Sequence, residues 1–225
     1  MSRISVVIPS LNEADHLTSA LNDLAPLRAA GHELILVDGG STDGTPEQAA
    51  GCVDRVLRSA PGRALQMNLG AEAAGGDTLW FLHADTRVPP DGLRALERAI
   101  EAGRPWGRFD VRLSGAQPLL RVVERAMNLR SRLTGIATGD QGIFVRAEAF
   151  RRVGGFPPLP LMEDIALSRR LRSLARPACL RPPLVTSSRR WERDGVVRTI
   201  LLMWRLRLAY ALGADPRRLA RRYYG

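Results

Sequence analysis

Short apolar runs recur along the first hundred residues, and stretches of helical periodicity separate them. Val6, Val7 and Ile8 form the first run, ended by Pro9 and Ser10, as in a strand buried on both faces. Leu17, Ala20, Leu21 and Leu24 then recur at helical spacing. Residues 34–37 make a second buried strand, closed by Asp38-Gly39-Gly40. A helix opens near Thr45, where Pro46 suits a first helical position, and a third strand follows over 55–57. Residues 64–74 read as a helix and 78–82 as a fourth strand, after which Pro89-Pro90-Asp91-Gly92 opens a helix through Ile100. Strands alternating with helices predict an α/β fold with a mostly parallel, doubly wound sheet.

The second half is less regular. Residues 109–113 alternate like a half-exposed strand, 119–133 are helical, and 142–145 form a short strand. A Gly- and Pro-rich loop over 154–160 precedes a helix starting at Glu163-Asp164. No linker, repeat or low-complexity segment divides the chain, which predicts one domain over 1–225. Its front half ends near 110, its back half runs over about 111–195, and a helical tail occupies about 196–225. Residues 196–212 are the most apolar stretch, but Arg198, Arg205 and Arg207 interrupt them, which makes a poor membrane span. An amphipathic helix packed on the core is the expectation. A helix lying on a membrane surface, helped by Arg217, Arg218, Arg221 and Arg222, is the alternative.

Composition narrows this little. Of 225 residues 45% are hydrophobic and 25% charged, as in ordinary globular proteins. Cys52 and Cys179 cannot build a disulfide framework, no Cys/His cluster suggests zinc, and both cysteines are expected to be buried. The N-terminus enters a strand without a signal pattern, so a cytoplasmic protein, at most peripheral to the inner membrane face, is expected. The net charge of +10 is carried entirely by arginine. Arginine grips phosphate bidentately, so a phosphorylated substrate, an anionic membrane or nucleic acid would all fit the charge. The arginines are dispersed, however, and no helix-turn-helix, zinc finger or aromatic stacking motif accompanies them, which argues against nucleic acid.

Ligands of open parallel sheets bind beyond the carboxyl ends of the strands, and three acids fall there. Glu13 follows the first strand, Asp38 ends the second and Asp85 follows the fourth. Any one could be a cap or turn residue. Together they suit a divalent cation or the hydroxyls of a sugar. Asp164 sits at a helix N-terminus, whose dipole favours an ionised carboxylate. Arg63 opens another helix, a place where a phosphate can sit.

Residues 6–13 (Val-Val-Ile-Pro-Ser-Leu-Asn-Glu) followed by 37–45 (Val-Asp-Gly-Gly-Ser-Thr-Asp-Gly-Thr) resemble the opening of the family 2 glycosyltransferases. The resemblance continues in order through Phe81-Leu82-His83-Ala84-Asp85-Thr86 and Met162-Glu163-Asp164, about three quarters of the chain. It implies the GT-A fold and an inverting transferase that uses a nucleotide-sugar donor, most often a UDP-sugar. By resemblance Asp38 contacts the nucleobase, with Pro9 and Glu13 in the same pocket. Asp85 is the ligand of a divalent metal, Mn2+ or Mg2+, at the family's Asp-any-Asp motif. Here His83 replaces the first acid and is expected to touch the ribose or phosphate or to support Asp85. Asp164, with Glu163 beside it, is the implied general base. Arg189-Arg190-Trp191 partly resembles the family's Arg-Trp motif near the diphosphate, and Asp140 and Gln141 fall on the acceptor side.

The segments around His83, Arg63 and Gln141 are most similar to a short subset of the family. Its members are described as linked to arsenosugar biosynthesis or to radical-SAM and selenium-related neighbours. Expected partners are a nucleotide-sugar donor, an unidentified acceptor, a membrane surface through the C-terminal helix, and a second copy as a homodimer. A lipid-phosphate or polysaccharide acceptor is the rival within the enzyme class, and a non-catalytic nucleotide-sugar-binding module the rival outside it. A haloacid-dehalogenase reading fails, because His83 stands where that nucleophilic Asp would be. A nucleotidyltransferase would need a glycine-rich basic loop where Pro9-Ser10-Leu11-Asn12 lies.

Overall fold

β1 (Ile4–Ser10), β2 (Glu33–Asp38) and β4 (Thr78–Phe81) are buried along their whole lengths. A strand covered on both faces needs apolar side chains on both, which is why these segments read as unbroken runs. The structure is a computed structural model and describes residues 2–224. α1 (Ala14–Ala29), α2 (Thr45–Ala49), β3 (Arg55–Arg58), α3 (Arg63–Ala73) and α4 (Gly92–Glu101) complete the front half. The back half holds β5 (Trp106–Leu113), α5 (Pro118–Thr134), a 3-10 turn (Gly139–Gln141), β6 (Phe144–Arg146), α6 (Ala147–Arg152) and α7 (Glu163–Arg172). β7 (Ala178–Thr186), α8 (Arg189–Asp194), α9 (Val196–Ala211) and α10 (Pro216–Tyr224) follow.

The strands form one sheet in the order β3-β2-β1-β4-β6-β5-β7. β6 runs antiparallel to both of its neighbours, while the other pairings are parallel. Alternate residues of the central strands feed two cores. Ile4, Val6 and Ile8 pack with Leu17, Leu21 and Leu24 of α1 and Leu96 of α4. Val7 faces the other side, with Met67 of α3 and Leu167 and Leu171 of α7. α3 lies so close that a Cβ on Gly70 would come within 2.4 Å of Val7 Cγ1. Only glycine permits that approach.

α5 is clamped onto β5. The Asn128 carboxamide accepts from Val111 N and donates to Val111 O, both at 2.9 Å, and Leu113 N donates to Glu124 at 3.0 Å. Arg108, fully buried, pairs with Asp110, which Arg132 of α5 also engages.

The predicted α/β class and mostly parallel sheet stand, with three added elements and two corrections. β5 starts at Trp106 rather than Phe109, and its first residues are buried. β7 went unpredicted because Pro182 and Pro183 read as strand breakers. They are tolerated on an edge strand, at a register shift opposite Phe109 to Val111. α6 and α8 are single short helices of six residues each, too brief for a period to show, while α10 falls within the expected helical tail. Contrary to expectation, Cys52 is exposed and Cys179 only half-buried, the first in a turn and the second on the edge strand.

α9 packs through Val196, Thr199 and Leu206 and leaves Val197, Leu201, Trp204, Leu208 and Leu212 exposed. Val122, Leu129 and Leu133 of α5 are likewise exposed. Among the described residues no helix is long and apolar enough to cross a membrane.

Candidate active site

The loops after β1 and β2 are sewn together by short polar side chains. Asp38 ends β2, is 2% exposed, and accepts from Gly40 N and Ser41 N at 3.0 Å and from the Ser41 hydroxyl. Its carboxylate therefore shapes the Gly39-Gly40-Ser41 turn. Asn12, in a left-handed conformation at φ 54, accepts from Thr42 N at 2.9 Å. Asn12 N donates to Ser41 Oγ, Glu13 N to Thr45 Oγ1 and Ala14 N to Asp43. Beneath them Gln66 Nε2 of α3 donates to Ser10 O and Val37 O, both at 2.8 Å. Pro9 is buried in β1, opposite Val37 of β2. Sequence reasoning gave no role to Asn12, Ser41, Asp43, Thr45 or Gln66. The available signal was the density of Asn, Ser, Asp and Thr in two loops that face each other.

Three expected residues from distant parts of the chain meet at the next strand end. Arg189 Nη2 lies 2.9 Å from Glu13 Oε2 and 3.4 Å from Asp85 Oδ2. The two carboxylates raise the Arg189 pKa, against the opposing effect of burial. Asp85 Oδ1 is buried and has no hydrogen-bond partner, although buried polar atoms ordinarily have one. His83 Nδ1 lies 3.5 Å from Asp140 Oδ1, and its ring packs against Gly139. Among the described residues no three His, Cys, Asp or Glu side chains cluster as a metal cage. The donor set fits a hard cation that takes one oxygen from Asp85 and most of its shell from ligand and water.

A cavity of about 620 Å³ opens between α5, α7 and α9. Its polar end holds Arg63, His83, Arg130, Asp140, Glu163 and Asp164, and its walls are apolar side chains of α5 and α9 together with Trp191. Met162, with φ 70, turns the chain so that Glu163 and Asp164 start α7 at this end. Asp164 Oδ2 accepts from Gly139 N at 2.9 Å, and Oδ1 from Ile165 N at 2.6 Å. Glu163 is 6% exposed, and burial, then the Asp164 carboxylate, push its pKa up to about 7 despite Arg63. Asp164 is raised as well: burial outweighs the two N–H donors, and Asp140 adds to it. The helix terminus was expected to favour the ionised form. It does so through Ile165 N, but the net direction is upward.

Arg63 is exposed to the water of the cavity yet crowded by protein atoms. Burial opposes its charge, while Tyr224, Glu163, Tyr223 and Asp140 favour it, and its pKa rises. Solvent reaching the guanidinium weakens each of these influences. Arg190 stacks 3.7 Å over the Tyr223 ring. Gln141 is fully buried and its side chain closes the turn from Thr138, so of the expected acceptor pair only Asp140 lines the cavity. Arg130 was missed by sequence reasoning. Its Nε, Nη1 and Nη2 are buried and unpartnered, and burial lowers its pKa against the pull of Asp164. One arginine among 33 basic residues carries no sequence signal of its own.

Residues 5–152 match glycosyl transferase family 2. An uncharacterized glycosyltransferase of Mycobacterium tuberculosis, Rv1514c, is 31% identical over 164 residues, which cover 68% of this chain and 62% of the relative. The undecaprenyl-phosphate 4-deoxy-4-formamido-L-arabinose transferase of Pseudomonas fluorescens is 33% identical over 163 residues, covering 64% of this chain and 46% of that one. Among solved structures, the mannosyltransferase PcManGT of Pyrobaculum calidifontis, in complex with GDP-Man and Mn2+, superposes with a TM-score of 0.67 at 21% identity. It covers 92% of this chain and 61% of its own, a likeness of fold.

Proposed function

Because the chain belongs to glycosyl transferase family 2 and has that family's α/β architecture, we propose that it transfers a sugar from a nucleotide-diphosphate donor, a UDP-sugar foremost, to an acceptor hydroxyl with inversion. The observation that carries this reading is the Glu163-Asp164 pair in the cavity that Arg63, His83 and Asp140 also line. Residues to about 110 hold the donor, and those from about 111 to 195 hold the acceptor. The loop shaped by Asp38 receives the nucleobase, with Pro9 in the same pocket. Arg63, Arg189 and Arg190 face the diphosphate with positive charge, and His83 borders it. A divalent metal bound through Asp85 would neutralise charge on the leaving diphosphate. Mn2+ in the complex of PcManGT supports a metal of this kind.

Asp164 takes the acceptor's hydroxyl proton as the acceptor oxygen bonds to the anomeric carbon and the carbon–diphosphate oxygen bond breaks. A carboxylate with a raised pKa is suited to that role near neutral pH. The rival of a binding module without catalysis has no use for such a pair. The test is a thermal-shift screen of nucleotide sugars with Mn2+, followed by transfer and donor-hydrolysis assays. Absence of both binding and turnover across UDP- and GDP-sugars would refute the assignment.

A lipid-phosphate acceptor at a membrane surface is the second reading. It is favoured by the exposed apolar stripes of α5 and α9, flanked by exposed Arg125, Arg198 and Arg205. The undecaprenyl-phosphate transferase among the relatives fits it. Sedimentation with vesicles rich in phosphatidylglycerol should carry the protein down, and Trp204→Ser with Leu208→Ser should release it. Retention of the double variant on the vesicles would refute a peripheral contact made through α9. Membership of the arsenosugar-linked subset rests on the residues around His83, Arg63 and Gln141.

A further inference from the structure

Most buried arginines at the junction of β5 and α5 are visibly employed. Arg108 bonds Asp110, Phe109 O and Asn128 O, and Arg132 bonds Asp110. Arg130, on the same helix, has all three guanidinium nitrogens buried and none of them bonded. Five N–H donors without a partner are costly, and native structures rarely keep them without a ligand or water to receive them. The nearby carboxylates do not serve. Asp164 and Asp140 act on Arg130 through their field only, with no hydrogen bond from its guanidinium to either carboxylate. Arg130 is among the residues lining the cavity, and its guanidinium stays charged at neutral pH. Its backbone is held rigid by Asn128, which grips Val111 two residues back along α5. A fixed, planar, unpaired fork of donors is matched by a group with several anionic oxygens.

We propose that Arg130 is the recognition site for a phosphate group of the acceptor, bound in the cavity between α5 and α9 beside Asp164. The inference rests on reading this cavity as the acceptor's, and it names the chemistry the cavity selects. Two sources offer that chemistry, a soluble phosphoester and a lipid phosphate. Met127, Ile200 and Trp204 line the remaining wall and would receive an apolar body.

Titration calorimetry of the full chain with octyl phosphate, glycerol phosphate and octanol tests the assignment. Octyl phosphate should bind, Arg130→Met should weaken it at least tenfold, and Arg130→Lys should weaken it less. Arg152→Met, at an exposed position on α6, should match wild type. Octanol should respond to none of the changes. Glycerol phosphate binding as tightly as octyl phosphate would assign the subsite to a soluble phosphoester, and weaker binding to a lipid-like one. Unchanged octyl phosphate affinity in Arg130→Met, or an equal loss for octanol, would overturn the proposal. Should Arg130→Met not fold, protection of wild-type Arg130 from phenylglyoxal by octyl phosphate, read by peptide mass spectrometry, decides instead; no protection overturns it. Nucleotide-sugar binding is measured in the same samples. Its absence sinks the transfer reading while leaving the phosphate subsite standing.

Discussion

Gly139 N donates to Asp164 Oδ2 at 2.9 Å, joining residues 25 apart in the chain. A Cβ on Gly139 would lie 2.6 Å from His83 Nε2, so this one residue is pressed between the strand-end histidine and the acid of α7. The bond fixes the Asp164 carboxylate without neutralising it. In Asp164→Asn the amide oxygen can still accept from Gly139 N, the bond from Ile165 N is lost, and with it the basicity of the group. Transfer should fall about 10²- to 10⁴-fold with donor binding unchanged, measured by initial rates beside thermal shift. A rate within twofold of wild type would remove Asp164 from the role of base.

Glu163 supplies a pH dependence. Its folded-state pKa of about 7 lies above the ordinary value of 4.5, so the folded chain holds this proton to higher pH than the unfolded chain does. The stability conferred is full below pH 4.5 and is lost as pH rises through 7, a change of roughly 1–3 kcal/mol. Glu163→Gln should flatten the Tm–pH curve over that window and raise Tm at pH 8. In the wild type kcat/KM should climb with rising pH as the Asp164 carboxyl, held above the usual carboxylate range by burial, ionises.

Arg189 makes the only polar contact the structure gives to Asp85 Oδ2, among the described residues. Arg189→Met should weaken binding of a nucleoside diphosphate about 10- to 100-fold and leave that of the nucleoside alone. Asp85→Asn should abolish the response of turnover to added Mn2+, and EDTA should silence the wild type. Calorimetry and metal titration of the rate read these effects.

Much of this arrangement was legible in the sequence, for identifiable reasons. The central strands announced themselves because burial on both faces forces unbroken apolar runs. Glu13, Asp38 and Asp85 stood out because acids at strand ends have few structural excuses in combination. What stayed hidden depended on distance in the chain. The Arg189 bridge to Glu13 spans 176 positions, and nothing local to either residue encodes it. Arg130 differs from Arg132 only in what folding places around it. β7 was obscured because its prolines are forbidden in a central strand and permitted at an edge, and the edge is a property of topology.

Asn128 is the test of how α5 is held. Asn128→Leu would strip partners from Val111 N and Val111 O at once, leaving two buried backbone groups unmet. A loss of roughly 2–4 kcal/mol in unfolding free energy is expected from urea titration. A loss under 0.5 kcal/mol would show that the helix is seated by its apolar contacts alone.

Pro182 and Pro183 bear on association as well. They delete two amide donors from β7, and the backbone of Arg87 pairs with Val185 further along the same strand. At the opposite margin β3 presents the exposed Arg58, whose charge disfavours a like strand, while Arg55 is engaged with Glu33 and Ala73 O. Both borders of the sheet are thus closed to annealing with a second molecule. Any homodimer must be built from helical surfaces, and a lengthening ribbon of copies, the usual hazard of an open sheet, is designed out.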